Sequence, residues 1–335
     1  MAETAKTADE MAADIAATDE KATDKKATDE MAADIAAADE KATDKKTADE
    51  MAADIVAADE KAVNDKAANK YSFSTAALYP RSAAESLRLI AGAGFLHAEL
   101  MPQCFADASE SFALKAERSK IHVASVHYPL AMFSMLYNAS PGMISEERAF
   151  AEGLVRLCAA LGAEVLVIHP HDIQTEAQLK SSIEQPIREN ILHLAEQCEK
   201  AKIVLAVENS PKGPGRTAEG LLEYIESLGD PSIKPMVDTT EACEAGLDPA
   251  EFILKASPVH LHLSDHSGEK KHLPAGEGDT DWQAVKNALK IRGYAGYYTL
   301  EPVYRYYLAE PKEKLALAYD FVSGLFGSTS ATSQG

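Results

Sequence analysis

From residue 71 onward, short apolar runs alternate with longer segments in which apolar residues recur at helical spacing. The apolar runs predict eight strands, over residues 71–75, 95–100, 121–127, 164–169, 203–208, 233–238, 259–263 and 296–301. Helices are predicted between them, for example over residues 82–93, 145–161, 185–201 and 217–227, with a last helix over 313–325. This alternation over roughly 260 residues predicts an α/β protein with the (β/α)8 TIM-barrel architecture. A doubly wound sheet is disfavoured because no glycine follows the first strand within residues 71–80, where a phosphate-binding turn needs it.

The chain changes character near residue 70. Before that point it consists almost wholly of Ala, Asp, Glu, Lys, Thr, Met and Ile, and Asp-Glu-Met recurs at residues 9, 29 and 49. A shift of 20 residues rotates a helical side chain by about 200°, so no continuous apolar seam forms and a long coiled coil is disfavoured. We therefore predict a solvated, partly helical or disordered extension over residues 1–70, with a docked helical hairpin as the alternative. The barrel is expected over residues 71–328 and a disordered tail over 329–335.

Charge and composition limit the kinds of partner that the protein is expected to bind. The formal net charge of −20 argues against a general affinity for nucleic acid or anionic membranes, because phosphate binding requires clustered Lys and Arg. The four cysteines are widely spaced and no apolar run is long enough to cross a bilayer. The first residues lack the pattern of a signal peptide. We expect a cytoplasmic protein with free thiols, and the sequence leaves a homo-oligomer open.

The predicted strands end in polar side chains that can bind metal. Catalytic residues of a TIM barrel lie at the C-terminal ends of the strands or in the loops that follow. The side chains in this position are Glu99, His127, His169, Glu208, Asp238, His262 and Glu301. The last four come from four successive strands and form a mostly oxygen-rich ligand set, which suits one divalent ion such as Mn²⁺, Mg²⁺ or Co²⁺, with Zn²⁺ also suitable.

These endings resemble the xylose-isomerase-like TIM-barrel superfamily, which includes sugar isomerases and epimerases and also endonuclease IV. The motifs that carry the resemblance are Val-Glu208-Asn-Ser, Val-Asp238-Thr-Thr, His262-Leu-Ser-Asp, Gly276-Glu277-Gly278 and Leu-Glu301-Pro. The resemblance implies that Glu208, Asp238, His262 and Glu301 bind one divalent ion, and that Glu208 and Glu301 move protons on opposite sides of a substrate. In endonuclease IV the residues matching His127, His169 and His272 are further ligands of a zinc cluster.

Two positions depart from the endonuclease pattern. Glu241 stands where endonuclease IV and many ketose epimerases have His, and Lys270 stands where the nuclease has Asp. Two ligands of the third zinc ion are therefore missing. We accordingly treat His127, His169, His272 and Glu241 as residues for substrate or for a second metal.

The resulting hypothesis is a metal-dependent isomerase or epimerase for a small sugar, cyclitol or sugar phosphate. It would transfer a proton next to a carbonyl through an enediolate, with Glu208 and Glu301 as the catalytic residues. A hydride shift, as in true xylose isomerases, stays open. The rival enzyme is an endonuclease IV-like phosphodiesterase for abasic DNA, and the third reading is a scaffold without activity.

Several other residues near the strand ends allow more than one interpretation. Glu99 either orients another site residue or forms a structural salt bridge, and we predict that His260 points away from His262, towards the helices. The apolar segment over residues 130–144 is either a rim helix or a lid. The loop over residues 210–216, with Lys212 and Arg216, either binds an anionic group of the substrate or is an exposed turn.

Overall fold

The computed structural model describes residues 70–172 and 177–327. Apart from Lys70, the predicted N-terminal extension lies outside the described residues, and so does the predicted tail over 329–335. In the described part, no helix is both long enough and apolar enough to cross a membrane.

Eight parallel strands close into a barrel, and the eighth and ninth strands of the chain form a separate hairpin. The strands are β1 (Tyr71–Ser74), β2 (His97–Leu100), β3 (His122–His127), β4 (Val165–Ile168), β5 (Val204–Glu208), β6 (Lys234–Asp238), β7 (His260–Leu263), β8 (Asp265–Ser267), β9 (Lys270–Leu273) and β10 (Tyr298–Leu300). Around the barrel, β1 to β7 follow in chain order and β10 closes the ring between β7 and β1. Each barrel strand lies within its predicted range, which confirms the TIM-barrel prediction. The antiparallel hairpin of β8 and β9 was not predicted.

Helices cover the outside of the barrel, and shorter ones lie in the connections. They are α1 (Ala83–Gly92), α2 (Ala113–Glu117), α3 (Phe133–Leu136), α4 (Ile144–Leu161), α5 (Ala177–Ala201), α6 (Ala218–Leu228), α7 (Thr239–Glu244), α8 (Pro249–Ala256), α9 (Trp282–Ile291) and α10 (Pro311–Phe326). Four of the five predicted helices are confirmed to within two residues at each end. The fifth, predicted to begin at residue 185, begins at Ala177 and includes Pro186. A proline removes only one amide donor, and the buried Ile187, Ile191 and Leu194 hold this helix against the barrel.

The interior of the barrel is apolar on one side and polar on the other. On β4, β5 and β6 the inward positions hold a small cluster of Val165, Val167, Ala206 and Met236, separate from the main core between sheet and helices. On the remaining strands the buried alternating positions are polar: Ser72, Ser74, Glu99, Ser125, His260, His262 and Thr299. Side chains two positions apart on a strand share a face, so Glu208 follows Ala206 inward and Asp238 follows Met236. The C-terminal end of the barrel therefore collects ionisable groups.

Candidate metal centre and active site

Four side chains converge at the C-terminal end of the barrel. One ligand atom each from Glu208, Asp238, His262 and Glu301 lies within 4.8 Å of all the others. His262 Nδ1 is 3.1 Å from Glu208 Oε1 and 2.6 Å from Glu301 Oε2. Asp238 and His262 are fully buried, whereas Glu301 is partly open to solvent. The structure thus brings together the complete ligand set that the sequence predicted.

Local hydrogen bonds hold each carboxylate in place. Asp238 Oδ1 accepts the backbone N–H of Glu241 at 3.0 Å, so Asp238 ends β6 and also caps α7. Asn209 Oδ1 accepts the Asp238 N–H at 2.6 Å, and Asn209 Nδ2 donates to the Asp238 carbonyl at 3.1 Å. Ser74 Oγ donates to Glu301 Oε1 at 2.8 Å. These contacts occupy Asp238 Oδ1 and Glu301 Oε1, and Glu301 Oε2 is the oxygen that contacts His262.

The chemistry of this donor set fits a cation. Among the described residues, Asp238 Oδ2 is buried without a hydrogen-bond partner. In the same part of the chain, the ion pairs of Glu208, Asp238 and Glu301 go to histidines. Burial, together with the charges of Glu208 and Glu241, raises the pKa of Asp238 to about 8. Carboxylates that repel one another, and whose ion-pair partners among the described residues are histidines and not Lys or Arg, form an arrangement that a divalent ion stabilises.

The histidines around Glu208 keep it ionised. Burial alone would raise the pKa of Glu208, but the charges of His262 and His169 and hydrogen bonds from His127 and His169 outweigh it and hold the pKa well below its usual range. Burial alone would lower the pKa of His262, but the charges of Glu301, Glu99 and Glu208 raise it well above its usual value. In the metal-free protein, protons on His262 and Asp238 therefore occupy the place where a cation would bind.

His127 and His169 flank the centre on the side of β3 and β4. His169 Nε2 is 3.0 Å and His127 Nε2 is 3.4 Å from Glu208 Oε2, and the two Nε2 atoms are 3.1 Å apart. His127 Nδ1 is 2.7 Å from the Tyr128 carbonyl, so this nitrogen carries a hydrogen and Nε2 faces the site. Both histidines line the site as predicted, and with Glu208 they form a second group that can hold a metal ion.

His272 and Glu241 flank the centre on the opposite side. His272 comes from β9, where it adopts a positive φ of 45°, and its Nε2 is 3.2 Å from Glu241 Oε1. Its Nδ1 is 3.2 Å from Ser264 Oγ and 3.8 Å from Asp238 Oδ2. Burial would lower the pKa of His272, but Asp238 and Glu241 raise it to about 9. The sequence predicted both residues at the site, whereas the hairpin that carries His272 became visible only in the fold.

One prediction about the interior was wrong. His260 does not face the helices: it is fully buried inside the barrel, with Nε2 2.8 Å from Glu99 Oε2. The reason is geometric, because side chains two residues apart on a strand point to the same side, so His260 and His262 share a face. Glu99 contacts both histidines, since its Oε1 is 2.8 Å from His262 Nε2. The sequence shows that polar side chains lie at the strand ends, but it does not show that Glu99 contacts both His260 and His262 across the barrel.

The segment over residues 130–144 packs aromatic rings against the site. Within it, the Phe133 ring lies 5.1 Å from the His169 ring and 6.1 Å from the His127 ring, measured between centroids. Tyr137 donates its hydroxyl hydrogen to the His169 carbonyl. Short helical turns and α3 form this segment, and Met132 and Leu136 anchor it in the core. The segment therefore packs at the rim as a wall beside His127 and His169, in agreement with the rim-helix interpretation, and the interpretation as a lid stays a prediction.

The loop over residues 210–216 is an exposed turn after β5. Ser210 Oγ donates to the Lys212 carbonyl at 2.6 Å, and Arg216 donates to the Ala245 carbonyl at 3.3 Å. Both cationic side chains belong to exposed residues. The structure therefore favours the turn over a built anion site.

The fold and the site together place the chain in a family. It belongs to the xylose isomerase-like TIM-barrel family, whose model matches residues 87–322, well over half of the sequence. This confirms the resemblance drawn from the strand-end motifs.

Individual relatives share about 30% sequence identity or less with this chain, over part of its length. An uncharacterised protein of Methanocaldococcus jannaschii is 31% identical over 154 residues, covering 42% of this chain and 51% of that protein. D-psicose 3-epimerase of Enterocloster bolteae is 28% identical over 116 residues, covering 34% of this chain and 38% of that enzyme. The chain thus matches about half or less of the length of these curated relatives. A solved D-psicose 3-epimerase, determined in the presence of D-fructose, has a TM-score of 0.62 over 77% of this chain and 99% of its own, at 16% identity, which shows a shared fold.

Proposed function

We propose that the chain is a divalent-metal-dependent isomerase or epimerase that moves a proton at a carbon next to the carbonyl of a sugar-like substrate. The observation that carries the proposal is that Glu208 and Glu301 both contact His262 Nδ1, at 3.1 Å and 2.6 Å, with Asp238 completing the set. The similarity to D-psicose 3-epimerase in sequence and fold supports this class. The substrate we propose is an α-hydroxy ketone of the sugar or cyclitol type, with or without a phosphate.

Glu208, Asp238, His262 and Glu301 would hold the ion, and Mn²⁺, Mg²⁺, Co²⁺ and Zn²⁺ all suit this donor set. When bound, the ion would act as a Lewis acid that stabilises negative charge on substrate oxygen atoms. The protein supplies the rest: it fixes the donor atoms, buries them and excludes water. The aromatic wall around Phe133 serves this last purpose.

The proton transfer needs a base on one side and a group that delivers a proton on the other. Glu208 is held ionised by its histidine neighbours and is the natural base. It takes the hydrogen from the carbon as a proton, and the C–H electron pair forms the double bond of an enediolate. A solvent-derived proton, delivered through the partly exposed Glu301, is then added either to the opposite face of that carbon or to the neighbouring carbon. The first outcome is epimerisation and the second is isomerisation, and the glutamates exchange roles in the reverse direction.

The flanking pairs complete the proposed site. His127 and His169 on one side and His272 and Glu241 on the other place hydrogen-bonding groups around the centre. Sugar hydroxyls are the complementary ligands, because each can donate and accept. Glu241 can only accept when ionised, so it favours a substrate hydroxyl that donates.

Incorporation of deuterium from the solvent tests this proposal. In D₂O with Mn²⁺, the purified protein should convert a ketose such as D-fructose or D-psicose, or another ketose or inosose-like cyclitol, and the product should gain one carbon-bound deuterium. Glu208→Gln and Glu301→Gln keep the size of each side chain and should lower turnover by about 10²–10⁴-fold. Glu164→Gln, immediately before β4 at the other end of the barrel, is the control and should retain turnover. Near-normal turnover in either site variant would refute the two-glutamate mechanism, and conversion without deuterium would indicate a hydride shift.

A second candidate rests on one observation. His127, His169 and Glu208 can hold a further ion beside the first, as a phosphodiesterase of the endonuclease IV kind requires. The negative charge of the chain and the replacement of two zinc ligands by Glu241 and Lys270 weigh against DNA as the substrate. Two or more tightly bound zinc ions per chain, together with incision of abasic DNA, would establish this alternative.

A further inference from the structure

The fully buried carboxylate of Glu99 contacts the candidate metal centre and takes no part in the proposed proton transfer. Glu99, on β2, is 0% exposed. Its Oε1 is 2.8 Å from His262 Nε2, and its Oε2 is 2.8 Å from His260 Nε2 and accepts the Ser125 hydroxyl hydrogen at 2.8 Å. Three donors, from β3 and β7, thus fix the plane of a carboxylate that belongs to β2.

This arrangement determines where the lone pair of His262 lies. An ionised carboxylate can only accept hydrogen bonds, so His262 Nε2 must carry a hydrogen. In a neutral imidazole the other nitrogen, Nδ1, then holds the free lone pair. Nδ1 is the nitrogen that faces Glu208 and Glu301 at 3.1 Å and 2.6 Å. Glu99 therefore selects the tautomer that can donate to an ion.

His260 and Ser125 keep Glu99 from turning away. His260 Nε2 and Ser125 Oγ both occupy Oε2, which leaves Oε1 for His262. His260 Nδ1 has no hydrogen-bond partner among the residues that the structure describes. The contact with Glu99 is thus what orients the His260 ring, and the ring in turn holds the carboxylate.

We propose that Glu99 is a positioning residue that fixes the tautomer and ring orientation of His262 and so sets the affinity of the centre for its divalent ion. The inference rests on the proposed function only in requiring that a divalent ion occupies the centre, and it does not depend on the substrate. Carboxylates that hydrogen-bond to a metal-binding histidine commonly contribute 10–100-fold to metal affinity.

The experiment measures metal binding without substrate. Glu99→Gln keeps the shape of the side chain but has one acceptor oxygen, so it cannot accept from both histidines. We expect its dissociation constant for Mn²⁺, measured by competition with a chelator, to rise by about 10–100-fold. Glu147→Gln is the matched control, because Glu147 is equally buried and has no hydrogen-bond partner among the described residues. This control should stay within about threefold of the parent.

A second measurement determines the tautomer of His262 in the parent protein itself. In the zinc-loaded parent protein, ¹⁵N NMR of labelled histidine, assigned with His262→Gln, should show that His262 Nε2 retains its hydrogen and Nδ1 binds the metal. Metal bound through Nε2, or a Glu99→Gln variant that binds Mn²⁺ as tightly as the parent, would overturn the proposal, as would a protein that binds no divalent ion. Tight metal binding without turnover of any sugar would refute the proposed function and leave the role of Glu99 intact.

Discussion

Glu147 provides a sharp test of how burial controls ionisation in this fold. It lies in the first turn of α4, is 0% exposed, and neither carboxylate oxygen has a hydrogen-bond partner among the described residues. Burial raises the pKa of Glu147 to about 7, against a smaller opposing effect of Arg148. The helix N-terminus favours a negative charge at this position, but desolvation outweighs it.

The pH dependence of the free energy of unfolding follows from the difference in the pKa of Glu147 between the folded and unfolded states. Because the folded state holds the proton more tightly than the unfolded state, rising pH weakens the fold between the ordinary value of about 4.5 and about 7. At about 1.4 kcal/mol per pH unit, the full interval corresponds to roughly 3 kcal/mol. The contribution is fully present below pH 4.5 and is lost above pH 7. Glu147→Gln is neutral at every pH and should therefore be more stable than the parent at pH 8, by up to about 3 kcal/mol, and nearly equal to it at pH 4.5.

The measurement is urea unfolding from pH 4.5 to 8, followed by circular dichroism and by the fluorescence of Trp282, the single tryptophan of the chain. Trp282 reports on the fold because its indole N–H donates to Asp265 at 2.9 Å. Glu146→Gln is the matched control: Glu146 is exposed in the same helical turn, so both substitutions remove the same charge from the helix end. If Glu147→Gln changes stability with pH no differently from Glu146→Gln, then Glu147 is not protonated in the folded protein and the reasoning fails.

Three further predictions address the centre and the extension. At pH 7 the binding of Mn²⁺ should release between one and two protons, because Asp238, with a pKa of about 8, and His262 must both lose one. The affinity for Mn²⁺ should therefore rise with pH through about 8. Titration calorimetry that gives the same heat in buffers of different ionisation enthalpy would contradict this prediction. Asn209→Ala should cost about 2–4 kcal/mol in urea unfolding, because it leaves the buried N–H and C=O of Asp238 unpaired, and a loss below about 0.5 kcal/mol would show that these groups find other partners. Removing residues 1–68 should leave the thermal midpoint within a few degrees, since their composition offers little to bury; a large fall would favour the docked hairpin.

The sequence by itself was sufficient for the barrel and for the set of residues at its mouth. The eight strands were predictable because each is a short apolar run bounded by turn residues and followed by a helical pattern. In a parallel barrel all strands end on the same side, so chain order alone implies that Glu208, Asp238, His262 and Glu301 meet. Their identities, three carboxylates and an imidazole, were equally enough to predict a divalent metal.

Tertiary structure decided which groups touch one another. Glu99 and His262 are 163 positions apart in the chain, yet their atoms lie 2.8 Å apart, because closure of the barrel leaves only β1 and β10 between β2 and β7. Likewise, the β8–β9 hairpin carries His272 to Glu241, a contact that strand periodicity does not encode. A sequence specifies local spacing and the face of each strand, whereas contacts across the barrel depend on strand order, register and the depth of each side chain. That is why the proposed ligand set could be predicted from the chain, while the contacts of Glu99 with His260 and His262 emerged only from the fold.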